Sequence, residues 1–327
     1  MNRLLISLTI ATWCRKEQLV LLIESLENQT ISRENYEIIV CDSHSPDGTA
    51  DCIAELKKMY SNLEIYHTIN TLSAKRNLGI EKAKADIVVF LDDDVLPVNT
   101  FVEKHLNAHQ LYSNTVVCGG IRYPSELTLS SNYYRYRDSQ HFSRDKDGKE
   151  LKFNNITVMN LSFKKHEVLT KVGLVSTDFV KYGGEDIEYG YRIMKASMRL
   201  IVCYDALVYH YEYNGTLDNY FKKIQFASRY GGPLFYELTK YQLHLSPMSL
   251  LDPLNSKSMQ QKIKSIIVNL LVNKQLYALV VRYLRLTDKI GIFYNKFMFH
   301  YLKAYAYKSG VLLRYSESKS DADTKWF

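Results

Sequence analysis

Three consecutive aspartates, Asp92, Asp93 and Asp94, directly follow a run of five apolar residues. That run, 87–91, is typical of a buried parallel strand, and open α/β sheets bind ligands at the carboxyl ends of such strands. Like charges there repel one another and lose solvation unless a cation neutralises them. Because side chains alternate along an extended chain, Asp92 and Asp94 are expected on one side, with Asp93 pointing away. A solvated acidic loop is the alternative interpretation.

Other polar groups follow other predicted strands. Residues 12–15, Thr-Trp-Cys-Arg, come after the apolar segment 4–11, and Asp42 ends the next apolar segment. Glu185 and Asp186 follow two glycines at the start of a predicted helix, where the helix dipole favours ionised carboxylates. An ionised carboxylate can serve as a general base, although acidic capping of an ordinary helix explains the same pair.

The elements that must position these groups alternate along the chain and predict an α/β fold with a doubly wound, mostly parallel sheet flanked by helices. Strands are predicted at 4–11, 36–41, 63–67, 87–91, 115–118, 156–163 and 199–209. Helices are predicted at 16–28, after residue 49, and at 74–84, 101–112 and 185–196. Helix caps are expected at Ser45, at Ser73, and at Asn99 or Thr100. Beyond about residue 214 only helical patterns remain, which predicts a domain boundary and a C-terminal helical extension.

The chain has 327 residues, of which 46% are hydrophobic, and this is ordinary for a globular protein. Its five cysteines are scattered, which favours buried thiols in a reducing compartment over disulfides or a zinc site. Residues 4–11 are interpreted as a first strand and not as a signal peptide, and no apolar run is long enough for a transmembrane helix. The net charge of +7 comes from the residues after 256, where 13 basic and 4 acidic residues give +9, because residues 1–256 carry −2.

The motifs, in this order, make residues 4–212 resemble the inverting family 2 glycosyltransferases of the GT-A fold. Residues 12–15 resemble that family's Thr-Tyr-Asn-Arg, and residues 41–49 its Val-Asp-Asp-Gly-Ser-x-Asp-Gly-Thr. Residues 74–79 match Ala-Arg-Asn-x-Gly, and residues 183–186 resemble the Gly-Gly-Glu-Asp segment of chondroitin polymerases. The chain departs from the family pattern at three positions, Cys14 for Asn, Ser43 for Asp and His44 for Gly.

The resemblance implies a role for each matching residue. Nucleotide-sugar contacts are implied for Thr12, Trp13, Arg15, Asp42, Lys75, Arg76, Asn77, Asp92 and Asp93. Among these, Trp13 would stack on the base, Asp42 would accept from a base N–H, and Asn77 would brace the metal-site strand. A divalent cation, Mn²⁺ or Mg²⁺, is implied on Asp94, Asp92 and His210. Asp186 is implied as the general base with Glu185 orienting the acceptor, which would bind Tyr182, Gly183, Gly184 and Asn160.

The C-terminal region shows apolar residues at helical spacing with interleaved lysines and tyrosines. Two interpretations stay open: helices that lie on an anionic membrane face, and helices that pack on the catalytic domain with a solvated basic side. Nucleic acid is not expected as a partner, because no binding motif is recognised. The polar and aromatic stretch 130–148 is expected to be a mobile surface segment, and residues 133–137 within it are the candidate acceptor loop.

The sequence therefore predicts a metal-dependent glycosyltransferase that moves a sugar from a nucleotide-diphosphate donor, expected to be a UDP-sugar, to a glycan or lipid-linked hydroxyl. The catalytic domain is placed at 1–212, with a donor half at 1–98 and an acceptor half at 99–212, and the basic helical region at 213–327. A cytoplasmic location, with a peripheral position on the inner membrane face, is expected. The alternatives are a nucleotidyltransferase and a non-catalytic nucleotide-sugar-binding partner in a glycan assembly complex.

Overall fold

A computed structural model describes residues 4–212, 215–241, 250–251 and 258–316, with residues 315–316 described for their backbone alone. The chain divides into two compact units. The first comprises Met1–Pro124, Asp138–Asp178 and Asp186–Tyr213, and the second Ser125–Arg137, Phe179–Glu185 and Asn214–Phe327. Two short segments of the predicted catalytic domain, 125–137 and 179–185, thus belong to the second unit.

The first unit is built on one eight-stranded sheet. Its strands are β1 (Ile6–Ala11), β2 (Tyr36–Asp42), β3 (Leu63–His67), β4 (Ile87–Asp92), β5 (Val95–Pro97), β6 (Thr115–Arg122), β7 (Asn160–Lys164) and β8 (Arg199–His210). Their order across the sheet is β3-β2-β1-β4-β7-β6-β8-β5. Its helices are α1 (Lys16–Leu26), α2 (Thr49–Met59), α3 (Leu72–Lys82), α4 (Phe101–Leu111), α7 (Lys165–Lys171) and α8 (Glu185–Lys195). The first residue of α8 belongs to the second unit.

The sheet is mixed in direction. β1 runs parallel to both β2 and β4, β2 to β3, and β6 to β8. β7 is antiparallel to both of its neighbours, β4 and β6, and β5 is antiparallel to β8. The short hydrophobic strands form because both faces are covered: along β4, Val89 and Leu91 pack in one core while Val88 and Phe90 pack in the other.

Local boundaries differ from the sequence prediction where side-chain contacts decide them. The N-cap of α3 is Thr71, whose hydroxyl accepts from the Ala74 amide, and not Ser73. The N-cap of α2 is Gly48 in the left-handed region, so Ser45 is free to act elsewhere. All five cysteines are free thiols, as expected, and two of them are buried: Cys41 and Cys118.

The second unit is helical. Its helices are α5 (Ser125–Ser130), α6 (Asn132–Asp138), α9 (Leu217–Phe226), α10 (Gly232–Thr239), α11 (Met259–Leu271), α12 (Lys274–Thr287) and α13 (Lys296–Ser316). A π-helical turn, Ala227–Gly231, joins α9 to α10. Among the described residues no single helix meets the length and hydropathy of a membrane span, while α11 and α12 meet them only as a pair bent by 58°.

The predicted acceptor loop, residues 133–137, is wrong as a loop. These residues form most of α6, and Tyr133 and Tyr136 are buried in the core of the second unit. The Tyr136 ring stacks on Phe299 at 4.5 Å between centroids. The alternation of tyrosine and arginine that suggested a mobile segment is the pattern of a short helix that buries its aromatic residues and exposes its charges.

A polar network is buried inside the first unit. His105 contacts Ser162 Oγ through Nδ1 (2.8 Å) and Asn160 Oδ1 through Nε2 (2.9 Å), and His109 Nε2 reaches the same serine oxygen at 2.8 Å. Asn160 in turn donates to the carbonyls of Gly120 and Ala206. Because burial penalises the imidazolium, the pKa is lowered to about 4 in His105 and to about 3 in His109.

This network predicts a loss of stability in mild acid. Below about pH 6.5 the unfolded chain takes up protons that the folded chain excludes, so the free energy of unfolding falls as pH falls, by about 1.4 kcal/mol per pH unit for each histidine. Denaturant titrations between pH 7 and pH 5 measure this slope. His105→Gln/His109→Gln is expected to flatten it, whereas His166→Gln, at an exposed position, leaves it unchanged. Equal slopes in all three proteins would contradict the prediction.

Candidate active site

The predicted functional groups of the first unit gather at one edge of the sheet. In the parallel register, Ala11 of β1 lies opposite Cys41 on one side and Asp92 on the other. Thr12, Asp42 and the aspartate run therefore emerge side by side at neighbouring strand ends. Thr12 and Asp42 are buried. The side chain of Trp13, which follows Thr12, is half-buried.

The three aspartates do not alternate as predicted, because β4 ends at Asp92 and residues 93–94 form a turn. Asp93 and Asp94 instead share one partner: Arg15 Nη1 donates to Asp93 Oδ1 and to Asp94 Oδ2, each at 2.8 Å. Asp93 also accepts from the Thr12 hydroxyl at 2.8 Å. Asp92 turns to a different cation, Arg76.

Burial outweighs the effect of the neighbouring positive charge on Asp93. Burial raises the pKa of its carboxyl above the usual range, and the Arg15 guanidinium opposes that rise. Lys75 is buried nearby, with Nζ bonded to Asn70 Oδ1 at 2.9 Å, and burial lowers the pKa of its ammonium to about 8. The site thus holds positive and negative groups that have lost much of their water, which strengthens their electrostatic interactions.

Arg76 links the aspartate run to the predicted general base. Its guanidinium is buried, with Nη2 3.5 Å from Asp92 Oδ1 and Nη1 3.3 Å from Asp186 Oδ1. Arg76 lies on α3, and Asp186 lies 110 residues further along the chain, at the start of α8. The two carboxylates remain about one-third exposed, which leaves them accessible to a ligand.

Asp94 and His210 are the two residues whose positions suit a divalent cation. The antiparallel pairing of β5 with β8 sets Val95 opposite His210, and this brings His210 Nε2 to 3.4 Å from Asp94 Oδ1. Two ligand atoms around one Mg²⁺ or Mn²⁺ ion lie about 3 Å apart, so this oxygen and nitrogen suit a shared ion. In the described part of the chain, the buried Nδ1 of His210 has no hydrogen-bond partner.

Asp94 and His210 would supply only part of the ligands of such a cation. Among the described residues no three His, Cys, Asp or Glu side chains are grouped to hold a metal. Small divalent cations in phosphate-transferring sites take one or two carboxylates from the protein and the rest from substrate phosphates and water. The residues present therefore fit a cation that binds together with a diphosphate.

At the opposite end of the edge, Asp42 is held by two residues that the sequence analysis did not assign to the site. Its Oδ2 accepts from the Ser45 amide at 2.9 Å and lies 3.4 Å from His67 Nδ1, and the Ser45 hydroxyl donates to Oδ1. The His67 ring stacks on His44, with centroids 4.5 Å apart. The β2–β3 register pairs Asp42 with His67 directly, and this register was the signal that could have identified the histidine.

Two of the three residues that differ from the family pattern, Cys14 and His44, have the left-handed backbone conformation. Cys14 and His44 have positive φ angles of 54° and 56°, in the left-handed region that Asn and Gly tolerate best. The family's Asn and Gly at these positions are therefore explained by the backbone as well as by ligand contacts. Here Cys14 donates its amide to Ser45 Oγ at 2.8 Å, which ties the two loops together.

Two predicted site residues serve the fold instead. Asn77 pairs both ways with the backbone of Val175, at 2.9 Å in each direction, so it braces the loop after α7 and not the metal-site strand. Asn160 is fully buried in the histidine network, with its amide nitrogen and oxygen engaged. It has no surface to offer an acceptor.

Tyr182, Gly183, Gly184 and Glu185 lie in the second unit. Gly183 and Gly184 have φ angles of 94° and 107°. A Cβ on Gly183 would approach Ala227 Cβ to 2.8 Å, and one on Gly184 would lie 3.1 Å from Gly231. The two glycines therefore allow this segment to pack closely, within this unit, against the π-helical turn.

The chain is similar to known glycosyltransferases. Residues 7–168 match the model of Glycosyl transferase family 2. The chain contains a family 2 glycosyltransferase domain.

The chain is 25% identical over 326 residues to the dolichyl N-acetyl-alpha-D-glucosaminyl phosphate 3-beta-D-2,3-diacetamido-2,3-dideoxy-beta-D-glucuronosyltransferase of Methanococcus voltae, covering 94% of this chain and 97% of that one. It is 26% identical over 245 residues to the chondroitin synthase of Pasteurella multocida, covering 63% of this chain and 25% of that relative.

The solved structures extend the likeness to most of the chain. The mannosyltransferase PcManGT from Pyrobaculum calidifontis, solved with GDP-Man and Mn²⁺, matches with a TM-score of 0.59 and 17% identity over 96% of this chain and 87% of that one. The predicted α/β GT-A fold is thereby confirmed, and the predicted enzyme class, glycosyltransferase, is confirmed at the level of the family 2 domain. This glycosyltransferase chain spans two thirds or less of the length of several other curated relatives.

Proposed function

We propose that the protein is a metal-dependent, inverting glycosyltransferase that transfers a sugar from a nucleotide-diphosphate donor, a UDP-sugar, to a hydroxyl of a glycan or lipid-linked acceptor. The observation that carries the proposal is the position of Arg76 between Asp92 and Asp186. The Arg76 guanidinium lies within reach of a donor-side carboxylate, Asp92, and of a candidate base, Asp186. A site for nucleotide binding alone has no need of the second carboxylate.

The donor is held along the strand ends. Trp13 and Asp42 take the base, with Asp42 oriented by Ser45 and His67. Arg15, already paired with Asp93 and Asp94, offers positive charge beside the diphosphate. A divalent cation on Asp94 and His210 would screen the charge that develops on the leaving diphosphate.

Asp186 accepts the proton of the acceptor hydroxyl, and the resulting nucleophile attacks the anomeric carbon opposite the diphosphate, with inversion. The helix start raises the local positive potential, and the Arg76 guanidinium adds to it, so both favour the ionised carboxylate that a base requires. Glu185 and the segment 182–184 orient the acceptor. Most of the barrier reduction comes from positioning and from charge stabilisation.

A lipid-linked acceptor has support from one relative. The Methanococcus voltae enzyme that aligns with nearly the whole chain carries a dolichyl phosphate acceptor in its name. We therefore propose a polyprenyl-phosphate-linked sugar as the acceptor class to test first, with a free glycan second.

The test is release of nucleoside diphosphate from a panel of UDP-, GDP- and dTDP-sugars, measured with Mn²⁺, with Mg²⁺ and with chelator. We expect slow, metal-dependent hydrolysis of one donor without acceptor, and faster release when a lipid-linked acceptor is added. Retention of configuration in the product would overturn the inverting mechanism. Pyrophosphate release from a nucleoside triphosphate and a sugar 1-phosphate, without release of nucleoside diphosphate from any donor, would indicate a nucleotidyltransferase. Tight donor binding without turnover for any acceptor would indicate a non-catalytic binding partner.

A further inference from the structure

Helix α11 in the second unit has two distinct faces. One face packs inward: Val268 and Val272, just beyond the helix end, lie in a small cluster with residues of α13 such as Ala304 and Tyr305. Lys308 of α13 donates to the carbonyls of Asn269 and Val272, each at 2.7 Å, which closes the C-terminal end of α11. The helix is therefore fixed in place by its inner face and its end.

The other face is apolar and exposed. It is formed by five large side chains at the spacing of successive helical turns: Met259, Ile263, Ile266, Ile267 and Leu270. Each of them is 52–72% exposed. At about 100° per residue, this stripe is centred about 175° away from Val268 and Val272 on the inner face of the helix. These side chains contribute little to the core of the unit, since they point away from it.

Charge flanks the stripe on both sides. On the same helical projection, Lys262 lies beside one edge and Lys264 beside the other, and both are exposed. A Ser258–Gln261 capping box starts the helix, and its sequence contains no acidic residue. An apolar stripe with one ammonium group on each side complements a lipid surface, which has an apolar interior and an anionic headgroup layer.

We propose that the exposed stripe of α11 docks on an anionic lipid bilayer, with the helix lying in the membrane plane. The 13-residue helix is about 20 Å long, too short to cross a hydrocarbon core of about 30 Å. Lying flat, it can bury the stripe among acyl chains while Lys262 and Lys264 meet the headgroup phosphates. In this arrangement α11 packs on its own unit with one face and meets the membrane with the other.

The test is co-sedimentation of the full-length protein with vesicles of about one-third phosphatidylglycerol in phosphatidylcholine, compared with vesicles of phosphatidylcholine alone. Binding is expected to anionic vesicles and to weaken as salt is raised. Ile266→Glu/Leu270→Glu is expected to weaken binding about tenfold or more, because it removes two inserted side chains and adds two repelled charges. The control Leu111→Glu/Leu129→Glu makes the same changes at exposed positions on α4 and α5, and should bind like the unaltered protein.

Three outcomes would overturn the proposal: no vesicle binding, equal loss in both double variants, or vesicle binding that needs no anionic lipid. Dimerisation in solution that Ile266→Glu/Leu270→Glu abolishes, without vesicle binding, would assign the stripe to a second copy of the chain. The inference does not depend on the proposed function, since donor hydrolysis without vesicles is measured on the same proteins. Vesicle binding in a protein that hydrolyses no donor would preserve the docking surface and reject the enzyme activity.

Discussion

Replacing Asp186 with asparagine is expected to lower the turnover number by about 10²- to 10⁴-fold while donor affinity stays within a few-fold of the original. The amide keeps the shape of the carboxylate and an oxygen for Arg76, 3.3 Å away, but it cannot take a proton from the acceptor. Initial rates with saturating acceptor, and calorimetric titration with the donor nucleotide, measure the two quantities separately.

The matched control is Asp178→Asn, which removes the same charge from an exposed aspartate earlier in the first unit. It should leave both quantities unchanged. If Asp186→Asn lost donor binding along with turnover, the carboxylate would be acting through Arg76 on the donor side of the site. If turnover persisted, another group would have to serve as the base.

Replacing Asp94 with alanine is expected to abolish activation by Mn²⁺ and to lower donor turnover by about 10²-fold or more. Asp94 is the carboxylate that lies beside His210, and it also anchors Arg15. Its loss would remove one of the two proposed protein ligands and so displace a cation that would face the diphosphate. Turnover as a function of Mn²⁺ concentration, with bound Mn²⁺ followed by electron paramagnetic resonance, measures the effect.

Asp93→Asn provides the comparison for Asp94→Ala. Asp93 is bonded to Thr12 and Arg15 and has no contact with His210 among the described interactions. Activation by Mn²⁺ should therefore survive in Asp93→Asn. Equal loss of activation in both variants would show that the turn 92–94 responds as a unit and that Asp94 has no separate role as a ligand.

The strands could be predicted from the sequence because their apolar runs are short, continuous and bounded by polar residues. Residues 63–67 match the structure at both ends, and residues 87–91 differ by one residue. The strand predicted from residue 156 begins instead at Asn160, where pairing with β4 and β6 starts. Its start depends on partners distant in the chain, which local composition does not encode.

The candidate site was predictable to the extent that it depends on strand ends. Asp42 and the aspartate run lie at the ends of parallel strands, and Asp186 lies at the start of a helix. Carboxylates at these places stand out in the sequence. Asn77 and Asn160 were misassigned because an amide that pairs with a distant backbone looks the same in sequence as one that binds a ligand. His67 was missed because its position beside Asp42 follows from the register of β2 and β3 and not from its neighbours in sequence.

The insertion of β7 between β4 and β6 has a consequence for biosynthesis. As the ribosome delivers the chain, β1 to β4 can pair as soon as they emerge, but one edge of β4 stays open until residue 164 is made. An open, hydrophobic parallel edge favours aggregation. A fragment of residues 1–98, the predicted donor half, would keep that edge exposed, and in the growing chain the edge waits some seventy residues for its partner strand.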